Sequence, residues 1–128
     1  MATDATLRDL AALQGAWEQV AFEENGVVEP PDEHGEPGAL THIEGERFTV
    51  RARDGRVLLR GRFELDATAM PRAITWIDAI GAERGLRLPA SYELDGDDFV
   101  FIAADAGQPR PTVFRTTQGQ TLRRFRRL

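Results

Sequence analysis

Leu13-Gln14-Gly15-Ala16-Trp17 decides how the chain folds. Ahead of it, Leu7, Leu10, Ala11 and Leu13 recur at helical spacing, so residues 5–13 read as one short helix. Thr3 or Asp4 supplies a side-chain oxygen for the first turn, and Gly15 is the residue expected to end the helix. From Trp17 onward the spacing changes from helical to alternating, and residues 17–22 read as a first strand. Leu10 and Leu13 are then placed to plug one end of whatever the strands build.

What the strands build follows from their spacing. Residues 39–44 and 47–53 are two short strands joined by a Gly45-Glu46 turn, and Asp54-Gly55 is a tight hairpin signal. In 57–65, Leu59, Gly61, Phe63 and Leu65 share one face while Arg60, Arg62 and Glu64 share the other, so one face is buried and one wet. Gly61 in mid-strand marks a bend or a close approach. Residues 73–79 form a strand whose inward parity is open. Residues 87–94 alternate again, with Leu86, Leu88, Ala90, Tyr92 and Leu94 on one face. A two- or four-residue loop at Asp95-Gly96-Asp97 pairs that face with Phe99 and Phe101 of strand 98–103, whereas a three-residue loop with a bulge reverses it. Residues 112–116 read as a short strand and 120–128 as the closing one. Eight or nine hairpin-linked strands with one N-terminal helix make an all-β chain. We expect an antiparallel up-and-down barrel spanning residues 1–128 as a single domain, since closure removes edge strands.

Composition narrows the chemistry. There is no cysteine, hence no disulfide framework and no thiolate site. Residues 1–46 carry 11 acids and one arginine, while residues 47–128 carry 10 acids and 15 arginines. The segment 23–38 holds six acids, three prolines, three glycines and no arginine, and reads as an acidic loop. Residues 1–4 have no basic n-region, and no stretch reaches transmembrane length, so a cytoplasmic protein with no membrane partner is expected.

Taken in order, Leu13-Gln14-Gly15-x-Trp17, Gly45-Glu46-Arg47-Phe48-Thr49-Val50, Gly61-x-Phe63-x-Leu65-Asp66, Pro71-x-Ala73-Ile74, Tyr92-Glu93-Leu94-Asp95-Gly96-Asp97 and Arg110-Pro111-Thr112-x-Phe114 resemble a family of small bacterial lipocalin-like domains, common in planctomycetes and other GC-rich bacteria. The resemblance covers nearly the whole chain. It implies a calycin-type barrel whose open end is lidded by the loop 23–38, and no particular activity. It also implies that Gly15 and Trp17 are structural, with Trp17 packed under an arginine near the end of the last strand, Arg123 or Arg124 here.

Candidates for chemistry are few. His34 lies among Asp32, Glu33 and Glu36 in a Pro/Gly-rich loop, which rarely supplies fixed metal geometry, and His42 is an ordinary strand residue. Asp95, Asp97 and Asp98 crowd one turn but lack the spaced oxygens and closing glutamate of a calcium loop. Ser91 is the only serine, and no nucleophile elbow, phosphate loop or dinucleotide fingerprint appears. The run 123–127 reads as a last strand with solvated arginines rather than a nucleic-acid site. No catalytic residue, metal or cofactor is accordingly expected. Trp76, Tyr92, Phe99, Phe101 and Phe63 remain as candidates to line an apolar ligand pocket. The expected function is binding of a small hydrophobic or amphipathic molecule. The alternatives are a protein-interaction module with a filled core and, last, a small barrel isomerase or cyclase.

Overall fold

A computed structural model describes residues 2–33 and 35–128; His34, named above, lies outside the described residues. The helix α1 (Asp4–Leu13) is capped by Thr3, whose hydroxyl accepts from the Thr6 amide at 3.2 Å. Nine strands follow: β1 (Gly15–Glu24), β2 (Val27–Glu29), β3 (Leu40–Glu44), β4 (Arg47–Arg51), β5 (Val57–Asp66), β6 (Arg72–Asp78), β7 (Arg87–Asp95), β8 (Asp98–Ala104) and β9 (Gln120–Arg127). Every pairing is antiparallel, and β9 returns to pair with β1, closing an eight-stranded barrel to which β2 adds an extra strand. The fold expected from the alternation is the fold observed. No helix among the described residues is long and apolar enough to cross a membrane.

The stretch 13–17 ties the barrel together at one end. Gly15 sits at φ +118°, a backbone conformation that side-chain-bearing residues rarely adopt, so the chain turns from helix to strand there. The helix ends at Leu13, as expected, with Gln14 as its C-cap. Gln14 reaches across to the β3–β4 turn, accepting from the Gly45 amide at 2.6 Å and donating to the Gly45 carbonyl at 3.0 Å. Trp17 is fully buried and its indole N–H donates to the Leu13 carbonyl at 2.8 Å.

The arginine over Trp17 is Arg127, whose guanidinium lies 4.2 Å from the ring centroid. This corrects the assignment to Arg123 or Arg124, and the cause is register. Trp17 pairs with Arg127, while a bulge between Gln19 and Ala21 shifts the rest of β1 so that Phe22 faces Arg123 and Ala21 faces Arg124. Arg127 also donates to the carbonyls of Gln14 (2.7 Å) and Ala12, covering acceptors that the helix C-terminus leaves open.

The remaining inward residues follow the expected parity. Leu59, Phe63, Leu65, Leu88, Ala90, Tyr92 and Leu94 join the interior cluster. Asp95 pairs with Asp98, so the β7–β8 loop is the two-residue one and Tyr92 stands opposite Phe101. On β6, Ile74 and Trp76 point inward. At Gly61 the close approach is real: a Cβ there would collide with the Ile77 carbonyl and lie 2.8 Å from the Phe48 ring.

Two expectations need correction. Residues 23–38 are not all loop, because β1 continues to Glu24 and Asn25-Gly26 turns the chain into β2. Phe22-Glu23-Glu24 and Val27-Val28-Glu29 pair across that turn, which the count of acids and prolines hides. Residues 112–116 are not a strand. They belong to an irregular flap, 105–119, laid over the outside of the barrel, where Phe114 covers Val100, Ile102 and Leu122. Side chains hold the flap in place of a ladder: Ser91 donates to the Pro111 carbonyl at 2.5 Å, and Arg110 donates to the carbonyls of Ile74 (2.9 Å) and Ala90 (2.6 Å). At the flap's far end the Thr116 amide and hydroxyl both donate to one oxygen of Glu23, which holds that carboxyl below its usual range.

Arg127→Ala removes a cation–π contact and charged hydrogen bonds to a helix end, so it is expected to lower unfolding stability by about 2–3 kcal/mol. Arg124→Ala, at an exposed site three residues away, is expected to stay within about 0.5 kcal/mol of the parent. Urea unfolding of both variants checks the difference.

Candidate ligand-binding cavity

The two ends of the barrel are built differently. β6 runs from one to the other and shows the contrast. At its start, Arg72 donates to Asp9 of α1 at 3.1 Å, and the Tyr92 hydroxyl donates to the same carboxylate oxygen at 2.6 Å. The Arg72 guanidinium lies 5.1 Å from the Tyr92 ring centroid. Burial, together with the Asp9 carboxylate beside it, pushes the Tyr92 phenol above its ordinary range, so it remains a donor. Thr6 of α1 accepts from the Ala67 amide at 3.0 Å and fastens the helix to the turn after β5. Leu13, Trp17, Phe63, Tyr92 and Phe99 fill this end with side chains almost wholly out of solvent.

At its other end, β6 finishes at Asp78, and there the barrel is hollow. A cavity of about 990 Å³ lies between the strand ends and residues 31–33 and 35–39. That is within the range of small-molecule sites. Its inner wall is aromatic: Phe48, Trp76, Phe101 and Phe125. Trp76 makes ring contacts with Phe101 (4.9 Å), Phe48 (5.1 Å) and Phe63 (5.5 Å). Val50, Leu59, Leu88 and Ala103 continue the apolar lining toward the mouth.

The segment over the mouth is held by polar contacts to the barrel. Gln19 donates to the Pro31 carbonyl at 2.5 Å, and Arg56 pairs with Glu36 at 2.9 Å. Short backbone turns organise it internally, from the Glu33 amide to Pro30 and from the Ala39 amide to Glu36. Asp78 sits half-buried at the rim. Burial first, and the nearby Glu83 charge second, raise its carboxyl above the ordinary value.

Of the five residues expected to line a pocket, Trp76 and Phe101 do so. Phe63, Tyr92 and Phe99 belong to the filled end below, where α1 covers them. Arg123, expected to be structural, lines the cavity instead. Its guanidinium lies 4.7 Å over the Phe22 ring and donates to the Gln19 side-chain oxygen at 3.0 Å. A signal for this was present in the sequence. In Arg123-Arg124-Phe125-Arg126-Arg127 the only apolar residue is Phe125, so strand parity sends Arg123 and Arg127 inward with it and Arg124 and Arg126 outward.

His42 pairs with Ala16 and Thr49 on β3, and Ser91 is spent on the flap. No group of three or more His, Asp or Glu side chains is placed to hold a metal among the described residues. No protein-family model, no curated protein and no solved structure matches the chain, so the cavity is interpreted from its geometry.

Because the folded protein binds the Asp78 proton more tightly than the unfolded chain does, Asp78 makes the fold less stable as pH rises from the ordinary carboxyl value through the raised one. Asp78→Asn is expected to flatten this fall and leave the variant at least as stable as the parent at pH 7. Urea unfolding between pH 3.5 and 7 measures both slopes.

Proposed function

We propose that the chain is a lipocalin-like binding protein whose barrel holds a small amphipathic molecule at the end away from α1. The observation that carries this reading is the aromatic-walled cavity of about 990 Å³ beneath residues 31–33 and 35–39. Removing apolar ligand surface from water contributes about 25 cal/mol per Å². Trp76 and Phe101 on the inner wall, with Val50, Leu59 and Leu88 above them, supply the surface that covers such a ligand.

A solid interaction module has no use for that hollow, and the hollow favours binding over it. Catalysis by an isomerase or cyclase needs an acid or base against the substrate. Among the described residues the inner wall offers Arg123, whose guanidinium is a poor proton donor or acceptor at neutral pH, while Asp78 stands at the rim.

The neutral probe N-phenyl-1-naphthylamine tests the reading. It is expected to bind saturably, at one site per chain, with enhanced emission. Ala103→Trp, which places a large ring in the cavity lining, is expected to weaken binding at least about ten-fold while the thermal unfolding transition is kept. A parent protein that gives no saturable signal, or a variant that binds as well as the parent, would contradict it.

A further inference from the structure

We propose that the cavity is specific for an amphipathic molecule with a single acidic oxygen head, a carboxylate, which Arg123 receives on the inner wall. This rests on the cavity being a ligand site and adds the chemistry of the ligand.

Burying a polar or charged group is costly unless a partner satisfies it. Arg123 is partly buried, and its burial is enough to push the guanidinium below its ordinary value; the charge of Glu24 offsets this only in part. Of its several N–H donors, one is used on Gln19, and it forms no ion pair among the described residues. On the same cavity, the Trp76 indole N–H is buried and has no acceptor. The amide of Gln19 is spent at both ends, its oxygen on Arg123 and its nitrogen on Pro31. Among the described residues the lining therefore presents two donor groups with capacity to spare, one of them charged, beside the Thr41 and Thr121 hydroxyls, which can donate or accept. A ligand that matches it brings acceptor oxygens and negative charge.

The rim limits how much negative charge. Seven acidic residues line the cavity, none of them buried, against Arg123 as its one cation among the described residues. Exposed carboxylates are screened over about 8 Å at physiological ionic strength, so they do not cancel a contact made deep inside. They do oppose entry of a dianion. A monoanion neutralises Arg123 and leaves no surplus charge, which selects a carboxylate over a phosphate monoester. The aromatic and aliphatic walls require the remainder of the molecule to be apolar.

The guanidinium is already oriented for this. Stacking on Phe22 and the bond to Gln19 fix its plane, which lowers the cost of presenting two parallel N–H groups to a carboxylate.

The test compares dodecanoate, 1-dodecanol and dodecylamine as competitors for N-phenyl-1-naphthylamine, each below its aggregation limit, at pH 7.5. The parent is expected to bind dodecanoate at least about ten-fold more tightly than dodecanol, the scale of a charge-assisted hydrogen bond. Arg123→Gln is expected to abolish that preference while dodecanol binding changes less than about two-fold, and Arg123→Lys to retain a preference for the acid. Equal binding of acid and alcohol by the parent, an acid preference that survives Arg123→Gln, or tightest binding of the amine overturns the proposal and leaves the ligand site standing. If Arg123→Gln does not fold, the parent's ranking of acid and alcohol decides alone. Failure of all three competitors in the parent overturns the ligand site as well.

Discussion

The indole of Trp17 is the point at which three parts of the chain meet. It donates to the last carbonyl of α1, lies under Arg127 of the final strand, and fills the barrel end from the first. Closing a barrel requires the two terminal strands of the sheet to find each other across more than a hundred residues, which is entropically expensive. The pairing of Trp17 with Arg127 sets that closure in register, and the same arginine satisfies the helix carbonyls beside it. Loss of the ring from such a site costs about 3–5 kcal/mol in typical cores, a large share of a small domain's stability.

An asymmetry along the barrel axis follows. The helix can cover only one end, and there Trp17, Tyr92, Phe99 and Phe63 pack with Leu13 and leave no hollow, whereas Phe48, Trp76, Phe101 and Phe125 wall the cavity at the other. Their packing is helped by polar contacts that only the helix can make, such as Asp9 with Tyr92 and Arg72. The other end has Ala103, Val50 and Thr121 at inward positions, too small to meet across the barrel, and a proline- and glycine-rich crossing in place of a second helix.

Much of this was legible in the residues. The alternation of Leu59, Gly61, Phe63 and Leu65 against Arg60, Arg62 and Glu64 gave the inward face, and Asp-Gly and Gly-Glu pairs marked the hairpins. The identity of the arginine over Trp17 was not legible, because it depends on a one-residue bulge in β1 that no local propensity announces. β2 was hidden inside an acidic, proline-bearing segment, since three residues are too few to show a period. Residues 112–116 read as a strand because Thr112, Val113 and Phe114 have strand-like side chains, yet the flap that contains them is held by side-chain bonds at Arg110 and Pro111 rather than by a ladder. Which of the five aromatics would face a cavity depended on where α1 settled, and that is a matter of packing rather than sequence pattern.

The central claim is that one end of the barrel is filled and the other is hollow. The chain has two tryptophans, one in each half, and their indole N–H groups report on them separately. Proton–nitrogen NMR spectra recorded during titration with 1-decanol make the comparison directly. The Trp76 indole signal is expected to move progressively to saturation while that of Trp17, bonded to Leu13, stays in place. Movement of the Trp17 signal with Trp76 unchanged, or no movement of either, would contradict the account.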